Sequence, residues 1–247
     1  MKVTNCCVTF VILVKILLMQ LPQMLLHVPG LLSVDQLKEV DTLLADLQFV
    51  DGRATATGAA REVKHNLQVS KDAHVAHPQL QQLVARAIMS NQLVQQGIMP
   101  VKILPPIISK YEPGMHYGWH TDSPLMGDEF TIRVDVSITV FLNDPKSYEG
   151  GELVIHGPAG YVQYKLERGD AIIYPTTRLH GVNQVVSGHR LAAVTWMQCA
   201  VKSPEQRELL FQMKAATDMI GNSKPNSGEH LMLMQVYSNL VRMWAEL

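Results

Sequence analysis

Apolar residues first recur at helical spacing in "SVDQLKEVDTLLADLQFVDG", where Leu37, Val40, Leu44 and Leu47 share one face. Ser33 and Gln36 form an S-x-x-Q capping box at its start, and Asp51-Gly52 marks its end. A connection rich in glycine and alanine, "GRATATGAA", follows, and "REVKHNLQVS" is short and ambiguous between helix and strand. Pro78, at a first helical position, opens a second helix over "PQLQQLVARAIMSNQL", with Leu80, Leu83, Val84, Ala87 and Ile88 as its buried face.

After Pro100 the period changes to two. "VKILPPIISKY" is apolar and β-branched. "TIRVDVSITVFL" sets Ile132, Val134, Val136, Ile138, Val140 and Leu142 on one side, and Arg133, Asp135, Ser137 and Thr139 on the other, as in a half-buried strand. "GGELVIHG", "DAIIYP", "HGVNQVV" and "RLAAVTWMQ" are further strands, separated by "NDPKSYEGG", "GPAGY" and "SG" turns. From Pro204 the helical period returns, in "PEQRELLFQMKAATDMI" and "GEHLMLMQVYSNLVRMWAEL" around a "GNSKPNSG" turn. This predicts a helical hairpin whose methionine-rich stripe packs into the core. The fold class is therefore α+β with a mainly β core. Many short strands point to a sandwich or closed barrel, and no alternating βαβ pattern supports a doubly wound sheet. The predicted divisions are 1–23, 24–98 (helical), 99–201 (β core) and 202–247 (helical hairpin).

Segment 1–23, "MKVTNCCVTFVILVKILLMQLPQ", needs separate treatment. Lys15 interrupts its apolar run, which is too short and broken to span a membrane, and no A-x-A-like cleavage site follows. "MLLHVPGLLS", from Met24, reads as a natural domain start. The segment is read as an extension outside the fold or an over-long gene model, ahead of a signal peptide or an anchor. With 47% hydrophobic and 17% charged residues the chain is globular, and a net charge of −1 provides no basic excess for a nucleic-acid partner. Cys6, Cys7 and Cys199 form neither a disulfide framework nor a paired zinc pattern, which suits the cytoplasm.

Candidate chemistry begins at "YGWHTDSP". His120 and Asp122 stand two apart, so in extended chain both project to one side. Of the ten histidines, His180 stands out: it begins an apolar strand after a proline bend, and a tight "SG" turn leads to a strand opened by Arg190. Two imidazoles and one carboxylate make the facial triad of non-haem Fe(II) oxygenases. Three protein ligands leave three positions on an octahedral ion, two for a 2-oxo acid and one for dioxygen. Arg190 would be costly to bury without an anion. Strand position alone leaves it divided between gripping a carboxylate and pointing to solvent, and the His-x-Asp…His context favours the carboxylate. Trp119 and Trp196 are read as core aromatics rather than pocket lining. His116 and Tyr117 are divided between substrate contact and exposed loop. His156 and His189 are not taken as ligands, and Asn143 and Asp144 begin a turn without catalytic role. Cys199 is read as a small buried residue, and Gly150 and Gly151 as a bend or bulge.

The residues "YEPGMHYGWHTDSP", "ITVFLNDPKSYEGGELVI", "KLERGDAIIYPTTRLHGVNQVVSGHRLAAVTWMQ" and the closing "LVRMWAEL" resemble the Fe(II)/2-oxoglutarate dioxygenases of the prolyl-hydroxylase-like branch, most closely the bacterial PKHD-type hydroxylases. The resemblance runs from about Met24 to the C-terminus. It implies a double-stranded β-helix (jelly-roll) core, iron ligands at His120, Asp122 and His180, and 2-oxoglutarate held by Arg190 with Tyr111 aimed at the same distal carboxylate. It also implies ascorbate-supported hydroxylation of a small-molecule or peptidyl substrate, with succinate and CO2 as co-products. The loop "HGPAG" departs from the family pattern at the mouth. Competing readings are a non-catalytic iron/2-oxoglutarate sensor on the same barrel and a cupin-type metal enzyme, for which no H-x-H set is present. No nucleic acid and no stable membrane insertion is expected, and the apolar closing helices leave a homo-oligomer open.

Overall fold

Residues 25–55, 58–70, 76–127, 131–157 and 160–246 are described by the computed structural model, so the reading of segment 1–23 lies outside the described residues. Strand β1 (Leu26–Val28) precedes helix α1 (Val34–Ala45). The capping box forms: Gln36 N–H donates to Ser33 Oγ at 3.2 Å, and Ser33 N–H donates to Gln36 Oε1 at 2.9 Å. The helix is shorter than its pattern predicts. It stops at Ala45, and Phe49–Asp51 becomes strand β2, because that segment finds a ladder partner in Leu67–Val69. The short helix α2 (Gly58–Glu62) leads into β3 (Lys64–His65) and β4 (Leu67–Val69), so the undecided segment is two strands. The next helix is also divided. Helix α3 (Ala76–Ser90) ends where Asn91 caps a separate α4 (Gln92–Ile98), its side-chain oxygen accepting from the N–H groups of Leu93 and Val94.

The strands continue as β5 (Pro100–Ile103), β6 (Ile107–Tyr111), β7 (His116–His120), β8 (Leu125–Met126), β9 (Ile132–Arg133) and β10 (Val136–Phe141). Then come β11 (Glu149–Gly150), β12 (Leu153–Gly157), β13 (Gly160–Tyr164) and β14 (Ala171–Pro175). The last are β15 (His180–Val182), β16 (Val185–Ser187) and β17 (Arg190–Cys199). Two departures from the sequence reading stand out: "HGVNQVV" divides into β15 and β16, and the segment from Gly160 forms β13. The larger sheet runs β1-β14-β10-β17-β6-β4-β2, with β5 also paired to β17, and the smaller runs β13-β12-β15-β7-β3. All pairings are antiparallel. Tyr111, Phe141, Ile172 and Tyr174 of the larger sheet meet Leu153, Ile155 and Val182 of the smaller in one buried cluster, the jelly-roll interior.

Strand β10 keeps its predicted alternation but not its predicted exposure. Val136, Ile138 and Val140 pack with Val40, Leu80, Val84 and Ile88 of the helices. The polar side turns into the barrel, where Ser137 (0% exposed) and Thr139 (2%) are as buried as the apolar side. Helices covering the outer face of the larger sheet leave no solvent side. The strand also breaks at Val134–Asp135, dividing β9 from β10.

The C-terminal hairpin comprises α5 (Pro204–Ser223) and α6 (Gly228–Trp244). The methionine stripe is not core: α6 has no buried residue, and Met232, Met234 and Met243 are exposed. The helix packs on α5 and is tied back to the barrel at its end, where Ala245 bridges Val201 and Glu246 N–H donates to Ala200 O at 2.7 Å. Among the described residues no helix is long and apolar enough to cross a membrane.

Candidate active site

The centre of the site is one register pair. His180 opens β15 and lies opposite His120, the last residue of β7. The next pair is Val182 with Tyr117, so one residue of β15, Gly181, faces two of β7: a bulge at Gly118 and Trp119. The extra residue returns Tyr117 to the face of His120, and the two rings stack with centroids 3.7 Å apart. Glycine is required on both sides of this irregularity. A Cβ on Gly118 would lie 2.8 Å from Val63 Cβ, and one on Gly181 would lie 2.8 Å from Tyr117 O. Asp122 lies beyond the end of β7 and enters from the connecting loop, not from an extended strand as the i, i+2 spacing suggested.

His120 Nδ1 donates to Gly118 O at 2.8 Å, and His180 Nδ1 donates to Arg178 O at 3.0 Å. Each bond fixes a tautomer and leaves Nε2 with a free lone pair. Ser137 Oγ donates to Asp122 Oδ2, and that oxygen is 3.6 Å from His180 Nε2. One ligand atom from each of His120, Asp122 and His180 lies within 4.8 Å of the others. Burial, and secondly the neighbouring His180, pushes the His120 pKa down to about 4, so this imidazole is neutral at pH 7. Two imidazole nitrogens and one carboxylate oxygen converging in this way suit a ferrous ion.

Arg190 begins β17 and pairs in register with Tyr111 of β6. It is 1% exposed, so it does not point to solvent. Its guanidinium carbon lies 5.2 Å from the Tyr111 ring centroid and 5.6 Å from that of Phe141. It is the ring of Tyr111 that meets Arg190. No carboxylate pairs with Arg190 among the described residues, and its Nε is buried without a hydrogen-bond partner. A buried guanidinium in this state fits the distal carboxylate of a dicarboxylic 2-oxo acid.

The remaining candidates divide. Trp119 is not a core aromatic: it is 48% exposed and lies against Tyr161, with ring centroids 4.9 Å apart. Trp196 is partly buried beside Leu104, Ile132 and Val134. His116, His156 and His189 are exposed, and Cys199 is buried. Gly150 and Gly151 have positive φ, at a register shift between β11 and β16. Two site residues escaped the sequence reading. Ser137 was legible only as a polar position in β10. Lys64 lies in the undecided segment, yet it is buried and donates to Thr55 Oγ1 at 2.8 Å. Burial lowers its pKa to about 8, against the opposing pull of Asp122.

Comparison with known proteins fits this geometry. The family model described as 2OG-Fe(II) oxygenase superfamily matches residues 106–198, and that described as PKHD-type hydroxylase C-terminal domain matches residues 205–246. The chain is thus a 2-oxoglutarate-dependent dioxygenase, of a class that uses Fe(II) and 2-oxoglutarate. A PKHD-type hydroxylase of Picosynechococcus sp. is 40% identical over 90% of this chain and 100% of its own length. The chain belongs to the PKHD-type hydroxylase family. Among solved structures, a Trichoplax adhaerens prolyl hydroxylase in complex with a hypoxia inducible factor peptide fragment is 14% identical, with a TM-score of 0.51, covering 85% of this chain and 97% of that one. HygX from Streptomyces hygroscopicus, with nickel, 2-oxoglutarate and hygromycin B bound, is also 14% identical, with a TM-score of 0.52, covering 75% and 86%. These two likenesses concern the fold.

Proposed function

We propose that the protein hydroxylates a small-molecule or peptidyl substrate, releasing succinate and CO2, with Fe(II) held by His120, Asp122 and His180 and 2-oxoglutarate held by Arg190 and Tyr111. The observation that carries this reading is a double demand inside one barrel. Three ligand atoms lie within 4.8 Å of one another, and a buried guanidinium has no counterion among the described residues. Bound at the triad, the ferrous ion would supply the O2 chemistry that couples oxidation of 2-oxoglutarate to substrate hydroxylation. The chain's own residues orient and exclude. Gly118 O and Arg178 O set the two imidazole tautomers, and Ser137 turns the carboxylate of Asp122. Phe141, Leu153, Ile155 and Ile172 keep water from the interior. Ascorbate supports turnover.

The solved neighbours named with a peptide and with hygromycin B support both substrate classes, and the relatives named as hydroxylases favour turnover over a non-catalytic sensor. Segments 24–98, 99–201 and 202–247 serve as helical cover, catalytic barrel and closing hairpin of a cytoplasmic enzyme. The exposed methionines of α6 form a homo-oligomer contact. A monomer by light scattering would remove that last assignment. The test of the function is anaerobic reconstitution with Fe(II) and 2-oxoglutarate, followed by a screen of metabolites and peptides for stimulated O2 uptake. A metal-to-ligand charge-transfer band that needs both components is expected. Its absence with both present would overturn the reading.

A further inference from the structure

We propose that Tyr148 is a second ligand for the distal carboxylate of 2-oxoglutarate, sharing it with Arg190, and that Lys165 is the positioning residue that holds its ring. This rests on the functional reading above.

Tyr148 is buried, and among the described residues its Oη has no hydrogen-bond partner; the same is true of Arg190 Nε. A buried phenol and a buried guanidinium left as unused donors in one place require an acceptor. The two side chains meet over Gly151, where a Cβ would lie 3.1 Å from Tyr148 Cε2 and 3.3 Å from Arg190 Cδ. Gly151 has φ +68°, so both backbone and space favour glycine there.

The turn carrying Tyr148 is fastened to the strand carrying Arg190. Asn143 Nδ2 donates to His189 O at 2.7 Å, and Leu191 N–H donates to Asn143 Oδ1 at 2.9 Å, gripping the chain on either side of Arg190. Asp144 closes the turn by accepting from Lys146 N–H at 2.7 Å. "NDPKSYEGG" is thus a splint, which gives Asn143 and Asp144 a structural purpose. Lys165 completes it: its Nζ sits 4.2 Å from the Tyr148 ring centroid and donates to Tyr148 O at 2.7 Å. Burial raises the phenol pKa, which keeps the O–H as a donor. A carboxylate has room for both groups, taking two bonds from a guanidinium and a third from a hydroxyl.

The experiment compares two 2-oxo acids on the Mn(II)-loaded protein by calorimetry. One is 2-oxoglutarate; the other is 2-oxobutanoate, which has the same chelating head and no distal carboxylate. Tyr148→Phe is expected to weaken 2-oxoglutarate about ten-fold or more, the scale of a hydrogen bond to a charged group. Affinities for 2-oxobutanoate and Mn(II) should stay at wild-type values. Lys165→Met should show the same selectivity with a smaller loss. The metal-free Tyr148→Phe variant should melt at or above the wild-type temperature, because only an unpartnered oxygen is removed. Equal binding of 2-oxoglutarate by wild type and Tyr148→Phe would overturn the inference. So would equal losses for both acids, or a lower melting temperature. The wild-type arm separates the two levels, since a wild type that binds no 2-oxoglutarate sinks the functional reading itself.

Discussion

The two ends of the barrel interior solve opposite problems. At the triad, each ligand side chain already has a partner within the protein: His120 Nδ1 on Gly118 O, His180 Nδ1 on Arg178 O, Asp122 Oδ2 on Ser137. At the other end, Arg190 Nε and Tyr148 Oη have none among the described residues. The first end is pre-organised by bonds within the protein, so little moves when a ligand arrives. The second carries an electrostatic debt that only an anion cancels. Substitutions should therefore cost function at both ends but change the stability of the metal-free protein in different directions.

The largest effect should come from removing a triad member. His120→Ala or Asp122→Ala is expected to abolish the charge-transfer band and turnover together, and retained 2-oxoglutarate decarboxylation in either would contradict the ligand assignment. Next is Arg190→Met, predicted to weaken 2-oxoglutarate about a hundred-fold while leaving Mn(II) affinity within a few-fold. The same change should stabilise the metal-free protein, by about 1–4 kcal/mol if it behaves like other buried charges replaced by apolar groups. A melting temperature below wild type would show that the guanidinium is held by the protein after all. Ser137→Ala should weaken metal binding by about ten-fold, the lower range for loss of a group bonded to a ligand; unchanged affinity in a metal titration would remove Ser137 from the site.

The smallest effect is on pH dependence. Because the folded-state pKa of His120 lies near 4, below the usual histidine value, the unfolded chain binds a proton there that the folded chain does not. Stability of the metal-free protein should therefore fall as pH drops from about 6.5 towards 4, and His120→Gln should flatten the slope in denaturant titrations. A wild-type curve level over that window would contradict the burial argument.

Much of this contrast was legible in the sequence, and the limits have physical causes. The convergence of His120, Asp122 and His180 and the burial of Arg190 were readable because metal and carboxylate chemistry restricts residue type and spacing. The capping box of α1 was readable because it is local. In β10 the alternation was visible, but which side met water depended on helices distant in the chain. The stripe of α6 failed for the converse reason, since apolar spacing says that a face needs cover but not that this chain supplies it. Tyr148 and Ser137 were hidden, because a tyrosine in a turn and a serine in a strand mean nothing until the fold sets one beside Arg190 and the other beside Asp122.

The irregularity in β7 makes chain length there a constraint with a direction. Four residues of β7 (Tyr117–His120) span what three of β15 (His180–Val182) span, so deleting Trp119 would close the pairing into an unbroken ladder but remove the two-residue span through which His120 Nδ1 reaches Gly118 O. Inserting a residue at the same point would turn the imidazole to the outer surface. Losing a residue would keep the pairing and cost that imidazole bond; gaining one would cost both.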